Sequence, residues 1–329
     1  MKFVKFFSDC EYNRELLGGK GSNLVKLSKK DFNVPNGFII TTDAYTHFLN
    51  NSEYKTELEE LLTTDLNPKN IMSFSEKISK YIKKSNIPKD ISREIEKAHN
   101  LFTNKVGNHV RFSVRSSATI EDCENFSFAG QADTFLFKKS PKEILSSVKK
   151  CWNSLFSPRA LLYITQIREK NQNMELINIK MAVIVQKMIN SDVSGVLFTA
   201  NVMNSNKKEM LINSTWGVGE SLVGNKVVPD MIIVNKESLE LVKTIIGKKE
   251  KKTVPDYKNS TAKTVKTDIE SQKQCCLTEH QIQQICKIGA KIEQFYEYFP
   301  QDIEWAIKDD ELFILQTRPI TTIENKQKT

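Results

Sequence analysis

Arginine is scarce in this 329-residue chain: of its 48 basic residues, 41 are lysine and 7 are arginine. The formal net charge of +8 raises the question of a nucleic-acid partner, since basic surfaces attract phosphate backbones. The densest run, Lys248 to Lys252, contains no aromatic side chain and lies in a long polar segment from about 247 to 275. A solvated loop is expected there, and no nucleic-acid partner. Histidine is scarcer still: His47, His99, His109 and His280 are scattered, so no zinc constellation or catalytic histidine motif arises from spacing. The six cysteines include the adjacent Cys275 and Cys276 but no CxxC pair. A chain of this size needs no disulfide staples, so free thiols in a reducing compartment are expected. No apolar run approaches the roughly 20 residues of a membrane span, and the opening MKFVKFFSDCEYNRE lacks the apolar core of a signal peptide. On this reading a soluble cytoplasmic protein with no membrane partner is expected.

The length exceeds what one simple core supports, so one elaborate domain or several packed lobes are expected. Residues 1 to 8 read as a strand. A loop ending in LLGGKGSN follows, then an amphipathic helix from about 22 to 30, a strand at Phe38 to Ile40, and a helix capped by Thr42 or Asp43. Residues 53 to 106 are charged and helical in period, with breaks at Asn67-Pro68 and Ile87-Pro88, the pattern of a peripheral helical lobe. After Gly107 come short strand-like runs, HVRFSVRSS and SFAGQADTFLF, then a helix from about 141 to 166. Four more strands, MAVIVQKMI, SGVLFTAN, EMLINSTWG and VVPDMIIVN, precede a helix at 278 to 298 and a terminal hairpin. Mixed helices and strands with antiparallel neighbours give α+β as the class.

Three segments have the chemistry of phosphate handling. In Leu17-Gly18-Gly19-Lys20-Gly21-Ser22-Asn23, glycines admit an anion to the backbone amides, the helix terminus adds partial positive charge and Lys20 a full one. The spacing is not that of a Walker loop, and a simple turn is the alternative. Val114-Arg115-Ser116-Ser117-Ala118 ends a strand with a guanidinium and two hydroxyls. The small-residue loop Ser127-Phe128-Ala129-Gly130-Gln131 then leads into a strand from Thr134, the shape of a flap over phosphates or of a plain hairpin. MAVIVQKMI reads either as a core strand or as the wall against an adenine.

The closing stretch PQDIEWAIKDDELFILQTRPIT has strand periodicity, which puts Asp302 and Glu304 on one face and Gln316 and Arg318 on one face. Matching the apolar faces of an antiparallel hairpin calls for a three-residue loop, Asp309 to Glu311. That loop pairs Ile307 with Phe313, Trp305 with Leu315, Glu304 with Gln316 and Asp302 with Arg318. Two carboxylates and an amide oxygen are hard donors suited to Mg²⁺ shared with substrate phosphates, and the arginine suits a phosphate. An edge hairpin carrying an ordinary salt bridge is the alternative.

Taken together, LGGKGSNL with VPNGFIITTDAY, VRSSATIEDCENFSFAGQADTF, VIVQKMINSDVSGVLFTAN, WGVGESLVGNKVVPD and QDIEWAIKDDELFILQTRPI resemble the ATP-grasp nucleotide-binding domain of the phosphoenolpyruvate synthase and pyruvate phosphate dikinase family. That family also includes the rifampin phosphotransferases. The resemblance implies an ATP-grasp fold with N-terminal lobes over 1–178 and a C-terminal lobe over 179–329. It also implies Mg·ATP held between the lobes, and phosphoryl or pyrophosphoryl transfer to a histidine on a separate domain or subunit. By the same resemblance Lys20 and Arg115 hold phosphates, and the loop from Gly130 through Gln131 to Thr134 covers them. Gln186 and the backbone of Lys187 and Met188 meet the adenine. Glu304 and Gln316, with Asp302, hold magnesium, and Arg318 reaches the transferred phosphate. The chain departs from the family in having Val202 and Cys123-Glu124 where proline is common, and Ala132 where a polar residue is common. Nothing in it resembles the Thr-rich segment around the family's phospho-accepting histidine, so a partner is expected. A module of an antibiotic phosphotransferase, or a nonenzymatic ATP-binding module, are the alternatives.

Overall fold

The computed structural model describes residues 1–121, 134–170, 175–321 and 323. The glycine loop from Gly130 to Gln131, and Ala132, lie outside the described residues. The chain divides into two compact units, one of Met1–Lys29, Asn36–Cys123 and Ser127–Met188, the other of Lys30–Pro35, Glu124–Phe126 and Ile189–Thr329.

The first unit contains strands β1 (Val4–Phe6), β2 (Gly37–Ile40), β3 (Phe112–Ala118), β4 (Thr134–Lys138) and β5 (Met181–Lys187) in the order β1-β2-β5-β3-β4. Every neighbouring pair is antiparallel. Its helices are α1 (Arg14–Ser28), α2 (Thr42–Asn50), α3 (Lys55–Leu62), α4 (Ile71–Lys84), α5 (Lys89–Val106), α6 (Pro141–Ser154) and α7 (Pro158–Lys170). The helical period predicted for 53–106 is realised: Ile71, Phe74, Ile78 and Ile82 of α4, and Ile91, Ile95, Ala98 and Phe102 of α5, are buried. Both predicted proline breaks fall between helices. These apolar stripes pack with Phe38, Ile40, Phe112, Val114, Val183 and Val185, which share one face of the sheet, into a single core. The strand β5 is buried at six of its seven positions, as its near-continuous apolar run predicts.

The second unit contains β6 (Val193–Phe198), β7 (Glu209–Trp216), β8 (Asp230–Asn235), β9 (Leu241–Ile245), β10 (Lys251–Asp256), β11 (Thr261–Lys266), β12 (Gln301–Lys308) and β13 (Glu311–Pro319). Six of these form an antiparallel sheet ordered β13-β12-β6-β7-β8-β9, while β10 and β11 pair with each other. Its helices are α8 (Glu220–Val223), α9 (Ile269–Lys273) and α10 (Glu279–Phe295), the last opened by a capping box between Thr278 and Gln281. One face of the sheet packs on α10, where Gly289 lies against Leu197. On that face the Trp305 indole covers Gly195, a position at which any Cβ would collide with it. Among the described residues, no helix is long and apolar enough to cross a membrane, and the five cysteines described are free thiols.

Several sequence expectations are corrected. The glycine stretch at 18–21 is not a loop before a helix. A short helical segment precedes it, starting at Arg14 where the Asn13 side chain accepts from the Leu16 amide, and Gly18 is non-helical and breaks α1, so that Gly19, Lys20 and Gly21 open its second segment. The helix expected at about 141 to 166 is two helices, and the chain between them turns at 155–157. Thr42 is inside α2 rather than capping it, its hydroxyl donating to the Glu15 carbonyl instead. The lysine-rich stretch from 247 is no solvated loop: it holds the β10–β11 hairpin and α9, and Lys249 is fully buried.

Candidate functional site

In the first unit, α1 bends where the backbone of Gly18 adopts φ 69° and ψ 176°, a region open in practice only to glycine. The bend brings the segment 17–21 against the end of β3. There the fully buried Ser117 hydroxyl donates to the Leu17 carbonyl at 2.9 Å and accepts from the Gly21 amide at 3.0 Å. Arg14 reinforces the same junction through the carbonyls of Thr119 and Glu121. Lys20 is thereby carried to the end of β3, its ammonium 2.7 Å from the Glu121 carboxylate and 3.4 Å from the Ser116 carbonyl. Glu121 has no exposed side-chain surface, and Lys20 keeps 12%.

Register places the other first-unit candidates. Arg115 on β3 lies opposite Ile184 of β5 and Thr134 of β4, and Gln186 lies opposite Ser113 and Gly37. Since alternate residues share a face, Arg115, Thr134 and Gln186 stand on the sheet face opposite the helical core, the face that also holds Ser117. Gln186 and Arg115 are buried, Thr134 and Lys187 exposed. The amides of Lys187 and Met188 donate to the carbonyls of Asn36 and Arg111, each at 2.8 Å. Those two N–H groups are committed inside the protein, so any backbone contact they offer a base is through carbonyl oxygens.

In the second unit, β12 and β13 pair Asp302 with Arg318 and Glu304 with Gln316, the pairing that periodicity predicts. The rest of the hairpin differs. The loop has two residues, Asp309 and Asp310, with φ of 50° and 61°, a conformation whose twist suits a tight hairpin. Lys308 faces Glu311, Ile307 faces Leu312 rather than Phe313, and Trp305 faces Ile314 rather than Leu315. The ladder shifts register between Glu304 and Trp305, and this bulge accommodates Leu315 and restores the Glu304–Gln316 pair. Arg318 holds one oxygen of Asp302 through two nitrogens, at 2.7 and 2.6 Å. Asp302 and Gln316 are buried, while Glu304 and Arg318 are half-buried. Among the described residues no three His, Cys, Asp or Glu side chains gather as a metal cage. The donor set on this hairpin face is one carboxylate, one amide and an arginine-bound carboxylate.

Residues 14–329 match the family described as pyruvate phosphate dikinase, AMP/ATP-binding domain. The chain belongs to that family. Over its whole length it is 36% identical to a probable phosphoenolpyruvate synthase of Methanocaldococcus jannaschii, covering 27% of that protein. Over 99% of its length it is 34% identical to the phosphoenolpyruvate synthase of Pyrococcus furiosus, covering 44% of it. Over 98% it is 37% identical to the rifampicin phosphotransferase of Bacillus cereus, covering 36% of it. The chain thus spans less than half the length of each of these curated relatives.

For a member of an AMP/ATP-binding family, the packing around Lys20 gives Glu121 a role that motif reading passed over, and gives the Ser117 hydroxyl a structural one beside the phosphate chemistry read from its motif. Ser117 and Glu121 stand within the quoted motif VRSSATIED, yet only the tertiary contact with α1 assigns them these roles. A hydroxyl and a carboxylate at a strand end carry no signal for a partner about 100 residues away. The bend itself is testable. In Gly18→Ala the new Cβ would fall on the Ser117 carbonyl, at a φ that disfavours any side chain. The expected loss is about 1–3 kcal/mol from the backbone alone, measured by chemical denaturation; a Gly18→Ala protein as stable as the parent would show that the bend is not held.

Proposed function

We propose that this chain is the Mg·ATP-binding part of a phosphoenolpyruvate-synthase-like phosphotransferase with an ATP-grasp fold. The nucleotide's phosphoryl or pyrophosphoryl group passes to a histidine on a separate domain or subunit. The observation that carries this reading is the opposed Glu304–Gln316 pair beside the Asp302–Arg318 pair on one hairpin face, in a chain of an AMP/ATP-binding family. A carboxylate and an amide oxygen fit magnesium, which takes few protein ligands and completes its shell with water and substrate phosphates. Asp302, already engaged by Arg318, orients that guanidinium and serves the metal second. Lys20 and Arg115 supply cations to the phosphates, with the segment from Gly130 and Gln131 to Thr134 over them. Gln186 and the carbonyls at Lys187 and Met188 receive the adenine.

When bound, magnesium neutralises phosphate charge. The protein's own part is to position the phosphates and to hold positive charge where negative charge develops. The final acceptor is pyruvate on a reading by likeness to a phosphoenolpyruvate synthase, or an antibiotic on one by likeness to a rifampicin phosphotransferase. Titrating the chain calorimetrically with Mg·ATP tests the reading. Glu304→Ala and Gln316→Ala are expected to weaken binding at least about tenfold, or about 1.4 kcal/mol, and to leave metal-free ATP unaffected. Wild-type affinity in Glu304→Ala, Gln316→Ala and Lys20→Ala alike would refute it.

A further inference from the structure

The hairpin face continues across the sheet. Glu304 lies opposite Val196 on β6, Val196 opposite Asn213 on β7, and Asn213 opposite Met231 on β8. Directly opposed residues share a face, so Gln316, Glu304, Val196 and Asn213 form one line on the side away from α10. The side-chain oxygen of Asn213 is buried and, among the described residues, has no hydrogen-bond partner. Two residues on along the same face, the hydroxyl of the fully buried Thr215 is also without one. A buried acceptor left unmatched costs about 1–3 kcal/mol.

The geometry points to Asn213 as a positioning residue for the metal: its side-chain oxygen accepts a hydrogen bond from a magnesium-bound water. This rests on the nucleotide reading above. Two strand spacings, about 9.5 Å, separate Asn213 from Glu304 along the line, and Val196 between them offers no polar atom. Asn213 therefore stands too far off to share an inner position with Glu304 directly, and on this proposal a water held by the ion fills the gap between them. Magnesium keeps several waters in a strict octahedron, and each such water must donate its protons to an acceptor. An amide oxygen already stripped of solvent is that acceptor. Asn213 thus orients the shell that Glu304 and Gln316 begin.

Calorimetric titration of the full chain tests the assignment, with Mg·ATP in one arm and ATP in chelator in the other. Loss of an outer-shell partner lowers metal affinity about 10–100-fold, and Asn213→Leu is expected to weaken Mg·ATP by that factor while metal-free ATP binds as in the parent. Asn213→Asp, which keeps an acceptor oxygen, is expected to retain Mg·ATP affinity. The thermal midpoint of Asn213→Leu is expected at or above the parent's, since an unmatched polar atom has gone; a purely structural asparagine would lower the midpoint and leave the metal dependence alone. Should the leucine variant fail to fold, Asn213→Ser, whose hydroxyl falls short of the water, is read on the same scale. Parental Mg·ATP affinity in Asn213→Leu alongside weakened binding in Glu304→Ala overturns the inference about Asn213 alone. Parental affinity in Glu304→Ala as well overturns the nucleotide reading and this inference with it.

Discussion

Asp230→Ala is expected to destabilise the second unit by about 3–5 kcal/mol, the cost of leaving a buried charge without its partner. Asp230 and Lys249 are both fully buried and form an ion pair. Around it the hydrogen bonds are nearly complete. One Asp230 oxygen also accepts from the Gly247 amide at 2.8 Å, and the other from the Cys276 amide at 2.8 Å. The Lys249 ammonium donates in addition to the Gly247 carbonyl at 2.9 Å. The pair ties the start of β8 to the turn after β9 and to the chain entering α10. Removing the carboxylate strands an ammonium and two amides away from water. Adding Lys249→Met to Asp230→Ala removes the stranded charge and is expected to recover more than half of the loss, the two amides accounting for the remainder. Urea denaturation of the parent, the single and the double variant measures this directly. A single variant within about 1 kcal/mol of the parent, against the figure expected for a buried pair, would mean that water reaches the site.

That lysine shows where the sequence stopped being informative. Lys249 sits in the densest basic run of a lysine-rich chain, and composition argues for a solvated face. Its burial depends on Asp230, 19 positions earlier, and no local pattern encodes such a pairing. The β10–β11 hairpin around it was illegible for a related reason. Most of β11 is exposed on both sides, so no apolar alternation marks it as a strand. Where one face is buried, period alone sufficed. The stripes of α4 and α5 and the continuous run of β5 were readable, and so was the shared face of Asp302 and Glu304.

The terminal hairpin shows both outcomes within one element. Periodicity alone put Glu304 opposite Gln316 and Asp302 opposite Arg318. It missed the two-residue loop and the bulge at Leu315, because two shifts of one residue cancel before the polar pairs are reached. The extension of that face to Asn213 could not be read at all, since β12 lies beside β6, a strand about 100 residues away in the chain.

Lys20→Ala is expected to have two effects with different remedies, and that difference decides what Lys20 is for. The substitution removes the ammonium 2.7 Å from a carboxylate with no exposed surface. Stability should therefore fall by a few kcal/mol, approaching the roughly 3–5 kcal/mol of a broken buried pair. On the nucleotide reading it also removes a charged donor to phosphate, which lowers Mg·ATP affinity by about 1.5–3 kcal/mol, or roughly 10–100-fold. Adding Glu121→Gln separates the two. A neutral amide tolerates burial far better than a carboxylate that has lost its countercharge, so the double variant should regain most of the stability. Its affinity for Mg·ATP should stay low, because the phosphate still lacks its cation. Denaturation and calorimetric titration on the same three proteins give both numbers. If the double variant recovers affinity together with stability, Lys20 serves only to neutralise Glu121, and the phosphate is held by other residues.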